Sequence, residues 1–529
     1  MIGRFIAGLP AALRMRDLTG KVLTALPTAR VIEFLLVAGI LAIAAAVRLT
    51  MLTALGFNSD EAVYAGQAAA IAGDSNLDPL FPVFRAHPLL FQYLLSLVFQ
   101  LGVSELAGRL LAALAGVTTV YLVYHLGANL YGRPVGALSA LLLALMPYHA
   151  VVTRQVLLDG PMTMFTTLGL LLLVRYGREQ KPSDLVAAGA ALGLAFLTKE
   201  TALLMFGSLY AFFALSPDIR LRIRDVLIAA AVAIGLMSLY PLTVLGAGSG
   251  VSGTAQQYLV WQFFRYPNHT WDFYLRTIPF EMGPLVVFLA LLGLWTLRRS
   301  HSWRETLLLA WIAVPVVFFQ LWPTKGYQYL LPAAPAVAVL AGRALAGLFA
   351  PPGGAQPGVG WSSRLLPAAF TVVAFSLLAS TYFIVFPQPA SQSLAGSGGV
   401  PGGREAGLWV RANLPEGSTL MTIGPSMANI LQFYGHHRAY GLSVSANPLY
   451  RNPVYIPITN PDLQIRMGEI QYLVWDAFSA NRSEFFSTRL LAYVQKYNGR
   501  VAYTETIPVR TAAGAVIEEP VIIIYRMYP

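Results

Sequence analysis

The sequence predicts a polytopic α-helical membrane protein of about 11 transmembrane helices with a small C-terminal α/β soluble domain. Three observations predict it: an apolar, charge-poor composition, a train of apolar runs with few charges, and a change of pattern near residue 390. Of the 529 residues, 56% are hydrophobic and only 12% are charged. Mean hydropathy is +0.60. Soluble globular chains carry about a quarter charged residues, so most of this length is solvated by lipid. Cysteine is absent, which excludes a disulfide framework, a thiolate nucleophile and Cys-ligated metal. The net charge of +11 does not indicate nucleic acid, because Lys and Arg sit mostly in short loops between apolar runs.

The first apolar run covers 34–57. Others follow near 106–128, 134–152, 160–174, 185–198, 201–216, 226–246, 282–297, 306–323, 327–348 and 365–387. A bilayer core of roughly 30 Å needs about 20 apolar residues per helix, and these runs broadly meet that length. The first 30 residues are basic and the first run is too long for a signal h-region, so no cleavable signal is expected. Placing the N-terminus in the cytoplasm puts the larger share of Lys and Arg inside. The expected setting is the plasma (inner) membrane, with an extracytoplasmic C-terminal part. Residues 1–390 form the membrane region, its first outer loop being 57–104, and 391–403 (SQSLAGSGGVPGG) read as a linker. Residues 404–529 alternate helix-like and strand-like segments, ending in VIIIYRMY, which suggests one α/β domain.

The outer loop FNSDEAVYAGQAAAI is the most informative segment. Asp60 and Glu61 follow the first span, with Tyr64, Ala68 and Ile71 at helical spacing behind them, as in an amphipathic interfacial helix. Asp159 opens the fourth span after Arg154. Taken singly, each is a solvated cap at a span end, where charge costs little. Taken together, Asp60, Glu61, His87, Asp159, Lys199, Glu200, Lys325 and the Tyr327/Tyr329 pair share one side of the membrane and come from four connections. Carboxylates beside cations are what transfer from an anionic lipid carrier requires: cations hold phosphate and a carboxylate takes the proton of an incoming hydroxyl.

Five blocks carry a resemblance: N-S-D-E-A-V-Y, H-P-L-L-F-Q-Y-L-L, L-D-G-P-M, G-L-A-F-L-T-K-E and K-G-Y-Q-Y-L-L-P-A-A-P. In order, spacing and side of the membrane they resemble the GT-C superfamily over roughly residues 30–390, in the branch of protein O-mannosyltransferases and lipid A aminoarabinose transferases. The resemblance implies an inverting glycosyltransferase, hexosyl or pentosyl, using a polyprenyl-phosphate sugar donor. It implies Asp60 as general base, Glu61 as its orienting neighbour and Asp159 as a second acid. His87, Lys199, Lys325 with Tyr327, and Tyr64 fall on the donor phosphate and lipid side. Relatives often read K-P-P or H-P-P where this chain has His87-Pro88-Leu89, so the resemblance does not fix the geometry of this loop. Arg154, His269 and Tyr329 are assigned to the region of the acceptor or sugar. The acceptor would be a protein hydroxyl, glycolipid or glycan. No cofactor is required and no metal ligand set is assigned, although a divalent cation is compatible with the paired acids.

Other features weigh less. His269 and Trp271 suit an aromatic membrane belt as well as a sugar site. GAGSGVSG at 246–253 lacks the flanking strand and Lys of a phosphate cradle and reads as loop. A transporter or lipid flippase is the main alternative, but it would place polar residues near the midplane in two related halves. A membrane-anchored interaction protein would leave the outer-loop charges unexplained. On this reading Asp60→Asn abolishes turnover and Lys325→Ala weakens donor binding.

Overall fold

A computed structural model describes residues 28–83, 87–216, 219, 221–295, 302–348, 361–385, 400–510 and 514–528. Residues 391–399 of the expected linker lie outside this set. The first part of the chain is helical: α1 Thr28–Leu49, α2 Ser59–Ile71, α3 Leu90–Phe99, α4 Glu105–Tyr131, α5 Arg133–Leu145, α6 Pro147–Val152, α7 Asp159–Glu179 and α8 Pro182–Thr198. A 3-10 turn, Glu200–Ala202, leads to α9 Leu203–Leu215, α10 Ile223–Gly246, α11 Ser249–Phe263, α12 Phe273–Met282, α13 Pro284–Trp295 and α14 Trp303–Leu321. The 3-10 segment Tyr327–Ala333, α15 Ala334–Leu348 and α16 Trp361–Val385 follow.

Among the described residues five helices are long and apolar enough to cross a bilayer, or six if α12 and α13 count as one bent span. A helix stands at each of the eleven expected positions, but several are short or broken, so the length of these helices does not establish eleven crossings. The run 134–152 is two helices because Pro147 cannot continue the α5 hydrogen-bond ladder. The 98° bend between α12 and α13 falls where Gly283 adopts φ +95° ahead of Pro284. Small residues let helices approach closely. A Cβ on Gly127 of α4 would stand 2.9 Å from Gly136 Cα of α5.

Two readings of local structure change. Residues 249–253 begin a helix, since Gly248 at φ +101° supplies the turn and the glycines beyond it continue into α11. Helix α2 is not an interfacial helix: Ala62, Ala65, Ala68 and Ala69 are fully buried, and it packs between α3 and the C-terminal domain. Its alanine face is narrow enough to sit between two elements.

The C-terminal domain comprises α17 Gly403–Asn413, β1 Thr419–Thr422, α18 Pro425–Gly435, β2 Arg438–Gly441, α19 Pro461–Arg466, β3 Tyr472–Asp476, α20 Ala477–Arg482, α21 Glu484–Lys496, β4 Arg500–Arg510 and β5 Val516–Arg526. Its sheet has the order β2-β1-β3-β5-β4. The first three strands are parallel and β5 is antiparallel to both its neighbours. Leu420 pairs with Ala439 and Tyr472, and Val474 with Ile524. One hydrophobic cluster runs from this sheet (Leu420, Val474, Ile522, Ile524) through α18 into Phe57, Phe81 and Phe91. Each such buried side chain contributes about 1.5–3 kcal/mol, which welds the domain to the loop between α1 and α4.

Candidate active site

The N-S-D-E block is read by the structure residue by residue. Asn58 caps α2, its Oδ1 accepting from the backbone N–H of Asp60 at 2.9 Å and of Glu61 at 3.0 Å. Glu61 returns the favour on the Asn58 N–H at 3.1 Å, a capping box. Arg109 of α4 donates to both Glu61 oxygens, Nε at 2.8 Å and Nη2 at 2.7 Å, and the Val156 N–H donates at 3.0 Å. Glu61 is fully buried, with both oxygens occupied, so it orients the loop and is not placed to react. Arg109 also donates to the carbonyls of Leu52, Leu55 and Gly56.

Asp60 is left over. Asp60 is an exposed residue whose carboxylate, among the described residues, has no hydrogen-bond or ion-pair partner. It opens on a cavity of about 90 Å³ lined also by Tyr64, His87 and Tyr258, and by Asn452, Val454 and Tyr455 of the C-terminal domain. Desolvation by the protein packed around its carboxyl group raises its pKa above the ordinary carboxylate value, while Lys199, His87 and Arg265, in that order, pull it down.

The cations beside it are themselves paired, with one exception. Lys199 donates to both oxygens of Asp159, at 2.7 and 2.8 Å, and lies 4.9 Å from the Tyr329 ring centroid. Both partners are buried, so the pair is held in a medium where an uncompensated charge would be costly. His87 Nδ1 meets Glu200 Oε2 at 2.8 Å, and its Nε2 stands 3.5 Å from the Tyr258 hydroxyl. Arg265 packs over the Trp261 ring at 4.6 Å and donates to Gln262 at 3.2 Å. Among the described residues it has no carboxylate partner.

Asp60, Tyr64, His87, Asp159, Lys199 and Tyr329 therefore gather around one place, with Glu200. Four expected residues do not join them. Lys325 is buried, its ammonium donating to the carbonyls of Gln320 at 2.9 Å, Trp322 at 3.3 Å and Phe319 at 3.4 Å. It satisfies the end of α14 and has no share in the cavity. Tyr327 is buried, and Tyr148 donates to its carbonyl at 2.8 Å. Arg154 donates to the carbonyls of Val47, Thr50 and Met51, tying down the end of α1. His269 stacks on Phe273 with centroids 4.1 Å apart, and neither residue lines the cavity. Conversely, Tyr258, Arg265 and Asn452–Tyr455 were given no site role by sequence reasoning. The aromatic-rich stretch YLVWQFFRY, 258–266, with Arg265 inside it, is the signal that could have pointed to Tyr258 and Arg265.

Among the described residues no group of three or more His, Cys, Asp or Glu is arranged to hold a metal ion.

Residues 86–244 match the family model described as dolichyl-phosphate-mannose-protein mannosyltransferase. A 164-residue stretch, 30% of this chain, is 28% identical to the putative mannosyltransferase YycA of Bacillus subtilis (strain 168) and spans only 24% of that protein. Among solved structures, ArnT from Cupriavidus metallidurans in the apo state superposes with TM-score 0.68 at 16% identity, covering 93% of this chain and 97% of that one. The same protein bound to undecaprenyl phosphate gives 0.64 at 17% identity over 93% and 97%. The Archaeoglobus fulgidus oligosaccharyltransferase, tethered with an acceptor peptide containing the NVT sequon, gives 0.60 at 14% identity over 92% and 74%. At these identities the likeness establishes the fold.

Proposed function

We propose that this GT-C-fold membrane protein, which also matches a mannosyltransferase family model over part of its length, moves a sugar from a polyprenyl-phosphate carrier to an acceptor hydroxyl. The observation that carries the reading is Asp60: a carboxylate without a partner among the described residues, on a capped helix start, facing a cavity beside cations. A general base must be free to take a proton, and its reach must be fixed. The acceptor oxygen attacks the anomeric carbon, its proton passes to Asp60, the bond from that carbon to the phosphate oxygen breaks, and the polyprenyl phosphate leaves as an anion with inversion at carbon.

Charge bookkeeping assigns the phosphate. Lys199 is matched by Asp159 and His87 by Glu200, which leaves Arg265 as the cation with charge to spare for the departing phosphate, with His87 and Lys199 as nearer modulators of Asp60. The guanidinium fork suits phosphate oxygens in pairs. Stabilising that anion is at least as important to the rate as the base. The Lys/Arg distribution favours a cytoplasmic N-terminus, with Asp60 and the sheet domain on the non-cytoplasmic side of the plasma membrane.

The test is turnover by purified protein in liposomes, given a panel of polyprenyl-phosphate sugars with host envelope extract, with and without EDTA. Consumption of one donor, lost in Asp60→Asn and unchanged by EDTA, is the expected result. Movement of intact lipid across the bilayer with no donor consumed would instead make the protein a flippase.

A further inference from the structure

The C-terminal domain is built into the segment that carries Asp60. Asn429 of α18 donates to Ser59 Oγ at 3.0 Å, one residue before Asp60. The Phe57 N–H donates to the Tyr434 hydroxyl at 2.7 Å, and that hydroxyl donates to Glu105. Arg404 of α17 pairs with Glu105 at 3.1 Å and donates to the Thr53 carbonyl at 2.9 Å. The domain is thus fixed against residues 53–59, and the connection after β2 reaches the Asp60 cavity in a defined place. Tyr450 of that connection stacks on Tyr266, centroids 5.0 Å apart, which ties it to the segment following α11 as well.

Three residues of this connection, Asn452, Val454 and Tyr455, are half-buried and line the Asp60 cavity. Val454 and Tyr455 also line a second cavity of about 100 Å³, between Pro79–Pro82 of the α2–α3 connection and strand β2. The pair is a partition with a cavity on either face. None of the three wall residues is ionisable at neutral pH, whereas the far side of the Asp60 cavity carries His87 and, nearby, Glu200 and Arg265.

We propose that Asn452, Val454 and Tyr455 are the acceptor-side wall of the transfer site, against which an uncharged, hydroxyl-bearing acceptor is seated and which keeps water from the anomeric carbon once donor and acceptor fill the cavity. The proposal rests on the transferase reading. Two arguments carry it. An uncharged wall suits an alcohol hydroxyl, and a phosphate oxyanion as acceptor would have no proton to give Asp60. A base that activates an alcohol also activates water: water oxygen attacks the anomeric carbon, Asp60 takes the proton, the bond to phosphate breaks, and free sugar is lost. Exclusion of water therefore has to be built into the site, and the wall is the part of the cavity that the C-terminal domain contributes.

The experiment measures the ratio of free sugar released to sugar transferred, for the full chain in liposomes with undecaprenyl-phosphate-linked sugars and envelope extract. Tyr455→Ala is expected to raise that ratio about tenfold, because opening the wall admits water. Asn452→Ala should raise it less, and Tyr455→Phe, which keeps the ring, should stay near wild type. A ratio unchanged in both alanine variants overturns the wall, whatever happens to the absolute rates, because partial unfolding lowers both products together. A wild type that consumes no donor removes the transferase reading itself, and the wall with it.

Discussion

The starts of α2 and α7 each present an aspartate toward the same place, yet the two helices treat it in opposite ways. At α2 the N–H groups are satisfied by Asn58 and Glu61, which leaves the carboxylate of Asp60, an exposed residue, without duties. At α7 no side chain caps the helix, and Asp159 is buried under Lys199 with both oxygens held. A capped terminus can spare its acid for chemistry, whereas Asp159 is committed to balancing a cation. Two acids that look equivalent along the chain are thereby given different work.

The comparison breaks first at Asp60. Asp60→Asn keeps the cap and the cavity but removes the proposed base, so sugar transfer is expected to fall about 10²–10⁴-fold. Binding of the polyprenyl-phosphate donor, measured separately, should survive. Equal loss of binding and turnover would make Asp60 a binding group. At α7 the expected damage is to stability. Lys199→Ala strands a buried carboxylate, which costs about 3–5 kcal/mol. The double variant Lys199→Ala/Asp159→Asn should melt at a higher temperature than Lys199→Ala alone, because neither charge is then left unpaired. If the double variant is the less stable, the two are not a self-contained pair.

A smaller effect sharpens the contrast. Only deprotonated Asp60 can accept a proton, so activity rises with pH through its pKa and is lost below it. Enclosure by protein raises that pKa, and Lys199 and His87 restrain it. Activity is therefore expected to fail on acidification earlier than for an ordinary carboxylate. Replacing His87 by Ala removes one restraint and should move the acidic limb of the pH–rate profile further up. A limb that stays in place, or moves down, would detach His87 from Asp60.

Much of this was legible along the chain because apolar run length and the N-S-D-E, L-D-G-P-M and L-T-K-E blocks are local patterns. The helix positions follow from them, as do Asp60, His87, Asp159 and Lys199 near one another. The α/β character of the last 120 or so residues was visible in strand-like runs such as VIIIYRMY, since β-branched residues suit a pleated surface. What stayed hidden depends on partners far apart in sequence. Glu61 and Arg109 are 48 residues apart, and Asn429 reaches Ser59 across 370. No periodicity announces such pairs. Broken helices such as α5–α6 defeated counting by length, because a proline ends a helix while leaving the apolar run continuous.

The smallest expected effect concerns two lysines that block matching treats alike. Lys199 answers the carboxylate of Asp159, whereas Lys325 answers three backbone carbonyls at the end of α14. Lys325→Ala should therefore cost stability, about 1–3 kcal/mol for carbonyls left unsatisfied, read as a lower melting temperature. Affinity for the polyprenyl-phosphate donor should change far less than in Arg265→Ala, which removes a cation that has no carboxylate partner among the described residues. A Lys325→Ala protein that melts normally but loses donor affinity would return Lys325 to the phosphate, and would mean that the 3-10 segment from Tyr327 to Ala333 rearranges when the carrier binds.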